Sequence, residues 1–269
     1  MHISLSAEHL SFFGLHITNA ILTTWIVSLV ILSLAFILRR NLSSIPGKMQ
    51  NAVEMVYLYF LDSATSIIGR REIAIQIFPF VATLFFFITF SNWSGLLPGN
   101  HSLGIIHGLD EAGHPEIISF LRPPSTDLNL VAAMAICAVA YVQYIGMKFL
   151  GVKHYLGKFF NFSSPVMFFV GILELVAEFT RIISYSFRLF GNIFAGKVLV
   201  TVIFFLTLSL VQFVPFVPLP FYMLEMFVGA IQAFVFCFLV IVLTAVAVTS
   251  HDDSGEHEAK PGLAPATHH

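Results

Sequence analysis

Six charged side chains stand inside runs otherwise built from Leu, Ile, Val, Ala and Phe: Glu174, Glu178, Arg181, Arg188, Lys197 and Glu225. A charge in hydrocarbon costs at least ~2.5–3.5 kcal/mol on insertion scales, so ion or proton handling is the first chemistry to consider. Structural ion pairs that hold helices together are the alternative. At about 100° per residue, Glu174, Glu178, Arg181 and Arg188 fall on one helical stripe, and Asn192 continues it one turn further. Glu178 and Arg181 can pair along the helix near one rim. Arg188 has no acid within four residues on either side, so its counter-charge must come from another helix or another chain. Lys197, nine residues past Arg188, points to the opposite face. Glu225 and Gln232 are seven apart and share a face, and a helical hairpin would bring Glu225 to Lys197.

The elements that must hold these residues are legible from composition. The chain has 269 residues, 57% hydrophobic and only 10% charged, with 30 Phe. Its 13 basic and 15 acidic side chains cannot cover a soluble protein of this size, which excludes a soluble enzyme, a disordered chain and a nucleic-acid binder. The expected fold class is all-α: a polytopic integral membrane protein with about five membrane helices and one interfacial amphipathic helix. Spans are predicted at 16–38, 73–97 and 127–150, each long enough for a ~30 Å hydrocarbon core. The mixed stretch 41–72 contains the amphipathic helix. Residues 98–126 read as a polar loop and 151–164 as a short basic loop.

The run 165–209 contains no proline after Pro165 and would measure ~67 Å as one helix, about twice the core. Either it breaks near Gly191 or it crosses the membrane steeply tilted. A proline-rich loop, 211–220, leads to a last span at 221–248, so the final two helices form a long hairpin within a single membrane domain. Cys137 and Cys237 sit in apolar runs and read as small buried residues rather than a disulfide.

Lys and Arg placement sets the orientation. Arg39, Arg40, Lys48, Arg70, Arg71, Lys148, Lys153, Lys158 and Lys260 mark one side, whereas the 98–126 loop holds only Arg122 beside Asp110, Glu111 and Glu116. The expected topology is therefore multi-pass, with residues 1–15 outside and the tail 249–269 cytoplasmic. No histidine lies well inside a span, and no metal cluster, nucleotide-binding loop or nucleophile triad is seen. The first residues lack the basic start of a cleavable signal peptide.

The run Arg188-Leu189-Phe190-Gly191-Asn192-Ile193-Phe194-Ala195-Gly196, with Gln232-Ala233-Phe234-Val235-Phe236 downstream, resembles subunit a of the F-type rotary ATP synthase. Pro46-Gly47-Lys48 and Asn92 before Leu97-Pro98 add to the likeness, which covers most of 40–249. The resemblance implies a stator subunit that forms two offset proton half-channels against a rotating c ring, coupling proton flow to ATP synthesis. It implies long helices tilted along the ring.

Residue by residue, the resemblance makes Arg188 the essential arginine facing the ring carboxylate, with Asn192 beside it and Gln232 across the hairpin. Asn92, Glu225, Gln232 and Lys197 fall on the outer proton path, and Glu174, Glu178 and Arg181 on the cytoplasmic side. The family commonly carries carboxylate or histidine at the two coupled outer positions, so lysine at 197 is a departure. The implied partners are the c ring, peripheral-stalk b subunits, the rest of the F1Fo complex and membrane lipid, with no cofactor, no metal and no nucleic acid. The implied location is the bacterial cytoplasmic (inner) membrane, with phosphate chemistry in partner subunits. A stand-alone proton-coupled secondary transporter is the competing function; such proteins usually show inverted repeats and a midplane substrate site, and neither is visible. A structural scaffold would not need the buried Arg and Glu.

Overall fold

The computed structural model describes residues 9–12, 15–40, 47–96, 104–109, 115–119, 122–159, 165–210 and 218–249. Pro46, Leu97-Pro98, Asp110, Glu111, most of the proline-rich loop and the tail with Lys260 lie outside the described residues. Among the described residues seven α-helices follow one another: α1 Asn19–Arg40, α2 Lys48–Ile68, α3 Arg71–Ser94, α4 Leu128–Leu150, α5 Val152–Phe159, α6 Pro165–Leu210 and α7 Leu219–Thr249. Five of them, α1, α3, α4, α6 and α7, are long and apolar enough to cross a membrane. The membrane body is thus all-α, as the composition requires.

Two short antiparallel hairpins accompany the helices. β1 (His9–Phe12) pairs with β2 (Leu15–Thr18), and β3 (Gly104–Leu109) with β4 (Pro115–Ser119). The expected polar loop 98–126 therefore contains a hairpin, and it closes on a single 3₁₀ turn at Pro124–Thr126. The expected basic loop 151–164 is corrected too: residues 152–159 form α5. A helix this short, with Lys153, His154 and Lys158 in eight residues, is too polar to read as a membrane element.

Local chemistry sets the boundaries. The Asp127 side chain accepts from Asn129 N–H at 3.0 Å and caps α4. Gly69 and Gly151 end α2 and α4 at φ +74° and +84°, backbone that favours glycine. No such breaker interrupts α6. It is one continuous helix through Gly191, ~69 Å long at ~1.5 Å per residue.

The helix ends can be matched to one another. The Arg122 N–H donates to Thr23 Oγ1 of α1 at 3.1 Å, and Pro123 lies against Gly95 at the end of α3. The start of α1, the end of α3 and the start of α4 therefore share one end of the bundle. Arg39, Arg40, Arg71 and Lys148 fall at the other, where Lys148 Nζ donates to Gln76 Oε1 at 3.0 Å.

The core lies around α7, which packs on α2, α3, α4 and α6. Ile73, Ile77, Val81 and Ile88 of α3 meet Val131, Ala135 and Val142 of α4 and Ala233, Phe236, Val240 and Ile241 of α7, all buried. Helix α2 lies on this body through Phe60, Leu61, Ala64 and Ile68, spaced for one helical face. The Phe60 ring sits 4.9 Å from Phe85 and 5.7 Å from Phe234, while Met55, Leu58 and Tyr59 remain exposed. Exposed apolar side chains cover α1 and α6, a surface that suits lipid or other helices rather than water. Cys237 is buried, but Cys137 is exposed on α4, contrary to the buried reading. An apolar run cannot distinguish a core face from a lipid face, because both exclude water.

Candidate functional site

The polar residues of α6 sort into three stations along ~34 Å of helix from Glu174 to Lys197. At the first, Arg181 Nη1 donates to Glu178 Oε1 at 2.5 Å, and its Nη2 stands 4.0 Å from Glu174 Oε1. One guanidinium thus serves two carboxylates. Glu178 is buried, only 9% exposed, and among the described residues its Oε2 has no hydrogen-bond partner. Two residues that sequence reasoning missed border this station. Tyr155 of α5 is buried, its ring pressed on Gly146 of α4, and its hydroxyl donates to Gln143 Oε1 of α4. Burial pushes the Tyr155 phenol up to about 12, with Glu178 and Glu174 adding to the rise and Arg181 opposing it. Gln143, a bare amide in an apolar span, was the available signal for this corner.

The second station holds Arg188 and Asn192. Leu189 and Ile193 are fully or nearly fully buried toward the bundle, which turns Arg188 and Asn192 to the exposed side of α6. Among the described residues Arg188 has no ion pair or hydrogen bond. Asn192 Nδ2 donates to Gln232 Oε1 of α7, forty residues away in sequence. Gln232 itself is buried, and it meets Asn192 rather than Arg188.

The third station joins α6, α7 and α3. The Glu225 side chain lies on Gly196, where an added Cβ would stand 3.4 Å from its Cγ and 3.5 Å from Oε1. Lys197, the next residue, is within electrostatic reach of the Glu225 carboxyl. One turn along α7, Gly229 O accepts from Asn92 Nδ2 of α3 at 2.9 Å, and Met226 O accepts from Trp93 Nε1 at 3.1 Å. Among the described residues, Asn92 Oδ1 and the hydroxyls of Thr89 and Ser91 are buried without a partner. Tyr185 near Phe236, Asn192 at Gln232 and Gly196 at Glu225 run in opposite sequence directions, so α6 and α7 pack antiparallel.

Asn92 of α3 thus stands against the length of α7 that carries Glu225 and Gln232, Asn192 meets it from α6, and Lys197 is within electrostatic reach of Glu225. Glu174, Glu178 and Arg181 form a separate group, and Arg188 stands between the two groups. The glycines 196 and 229 were missed as site residues; Glu225 lies on the first, and the absent side chain of the second lets Asn92 come close. Such an array can store and hand on charge in a low-dielectric setting, but it offers no nucleophile or phosphate cradle among the described residues. No group of three or more metal-binding side chains occurs among them either.

Comparison with known proteins places this arrangement in context. A family model described as ATP synthase A chain matches residues 21–244. The chain is 35% identical over 238 residues to ATP synthase subunit a of Gloeobacter violaceus, covering 87% of this chain and 85% of the relative. It is 33% identical over 236 residues to ATP synthase subunit a of Moorella thermoacetica, covering 87% and 93%. Against ATP synthase subunit a of Syntrophobacter fumaroxidans the identity is 32% over 228 residues, covering 84% and 82%. The match takes in all three stations, and the chain belongs to the ATP synthase A chain family.

Proposed function

We propose that this chain is the stator subunit of the membrane motor of an F-type ATP synthase. It forms two proton half-channels against a rotating c ring and couples proton flow to ATP synthesis. The observation that carries the reading is Arg188: a permanent cation on the exposed side of a membrane helix, with no acid partner among the described residues. A carboxylate arriving on a neighbouring subunit supplies the missing charge. Beside the guanidinium that carboxylate is driven to ionise and gives its proton to the cytoplasmic route past Glu174, Glu178 and Arg181. Beyond Arg188 it is reprotonated from the outer route, along Asn92, Glu225, Gln232 and Lys197. Asn192 supports Arg188 by fixing Gln232. The fixed charge also blocks a direct leak from one route to the other.

The length of α6 fits this role. A ~69 Å helix in a ~30 Å core must run obliquely, presenting several turns to a ring that passes beside it. The chain carries out no phosphate chemistry alone; that belongs to the partner subunits of the F1Fo complex, which include the c ring and the peripheral-stalk b subunits. It resides in a bacterial cytoplasmic membrane with its N-terminus outside and its C-terminus in the cytoplasm.

The test is ATP-driven proton pumping by vesicles holding complexes with Arg188→Ala. The complex should assemble and pumping should be abolished. Pumping at the wild-type rate would refute the assignment.

A further inference from the structure

We propose that Tyr155 is a positioning residue for the cytoplasmic proton route: its hydroxyl, fixed by Gln143, completes the hydrogen bonding of Glu178 through one ordered water. The inference rests on the function proposed above. It begins from a buried carboxylate with one satisfied oxygen. Arg181 occupies Glu178 Oε1, while Oε2 is buried without a partner among the described residues. A buried charged group left half-satisfied is costly, and bridging water is the usual remedy where a second polar group stands nearby.

Tyr155 is that second group. Helix α5 packs on both α4 and α6, and its Tyr155 side chain is buried. The phenol oxygen feels the charges of Glu178, Glu174 and Arg181. Its proton is already committed to Gln143 Oε1, so it cannot donate to the carboxylate. Its lone pairs remain available, and a hydroxyl can accept while it donates. A water that donates one proton to Tyr155 Oη and the other to Glu178 Oε2 satisfies both. The ring has no freedom to drift, because Gly146 leaves only enough space for it; a Cβ there would stand 2.6 Å from Cε2.

Glu178, held by Arg181 and the water, keeps the guanidinium in place, and Glu174 stands 4.0 Å from the same guanidinium. Tyr155 touches no reacting group; it acts through Glu178.

Tyr155→Phe in the complete ATP synthase complex tests this, since it keeps the ring on Gly146 and removes the hydroxyl. Passive proton conduction through the membrane sector should fall roughly threefold to tenfold, the scale of one typical net hydrogen bond. Glu178→Gln should lose a similar factor, and the double variant should lose no more than the worse single one. Infrared spectra give a readout independent of transport. The carboxylate band identified by Glu178→Gln should move in Tyr155→Phe, and heavy-oxygen water should shift a water stretch that Glu178→Gln lacks.

An unmoved carboxylate band, additive losses or no isotope-sensitive water stretch would each overturn the proposal. The isotope measurement does not need Tyr155→Phe to assemble. The infrared result also separates this proposal from the function it rests on, because it holds or fails whatever Arg188→Ala does to pumping.

Discussion

Gly229 and Gly196 both open α7 contacts, yet the spaces they leave differ, and Gly→Ala at each should have opposite outcomes. At Gly229 an alanine Cβ would stand 3.0 Å from Asn92 Cβ and 3.5 Å from Nδ2. Carbon atoms pack at about 3.5–4.0 Å, so α3 and α7 must part by about half an ångström. That separation stretches the 2.9 Å bond from Asn92 Nδ2 to Gly229 O. Overpacking costs ~1–3 kcal/mol and a lost interhelical hydrogen bond in a membrane ~0.6 kcal/mol, while alanine returns ~1 kcal/mol of helix propensity. Gly229→Ala should therefore destabilise by about 1–2 kcal/mol. At Gly196 the nearest atom to the new Cβ is Glu225 Cγ at 3.4 Å, an ordinary contact with a bendable side chain. Gly196→Ala should be neutral or slightly stabilising, because only the propensity gain remains. The assay is the temperature at which the purified complex loses this subunit, with proton conduction measured in parallel. Gly229→Ala should dissociate at lower temperature and conduct several-fold less, while Gly196→Ala matches wild type. Wild-type behaviour of Gly229→Ala together with impairment of Gly196→Ala would refute the packing argument.

Cysteine substitutions at Asn92, Glu225 and Gln232 should react with aqueous silver ions in the assembled complex; complete protection at all three would rule out this outer route. Lys197→Ala should shift the pH profile of proton conduction while the complex assembles, whereas poor assembly with an unchanged profile would make the lysine a fastener of α6 to Glu225. The Tyr155 phenol should stay protonated until about pH 12, against an ordinary value of 10. Its contribution to stability is then fully present below pH 10 and is lost as the pH rises through 12. The ultraviolet phenolate signal, taken as wild type minus Tyr155→Phe, checks this.

The membrane body was legible because apolar runs of the right length have few alternatives in lipid, and the charges within them stand out against that background. Helical phase alone grouped Glu174, Glu178 and Arg181 and put Lys197 opposite Arg188. What phase could not reveal was tertiary. Asn192 reaches Gln232 across forty residues, and Asn92 bonds to a backbone carbonyl at Gly229, a group every residue carries and no sequence marks. Tyr155 sits on a short basic helix whose composition looks like a loop, so its burial depends on the facing Gly146. Cys137 shows the same limit from the other side, since an apolar neighbourhood does not say whether a side chain meets protein or lipid.

The unbroken course of α6 has a consequence for how this chain can vary in length. From Glu174 to Lys197 no turn or loop is available to absorb an extra residue. One inserted residue between Arg181 and Arg188 would advance everything beyond it by ~1.5 Å and rotate it by ~100°. Asn192 would leave Gln232, and Gly196 would leave Glu225, while Arg181 kept both of its acids. Only a change of about seven residues restores the phase, to within ~20°. Even then the contacts with α7 would lie ~10 Å out of step unless α7 changed by a matching amount. Length in this helix is therefore inherited by both members of the pair together.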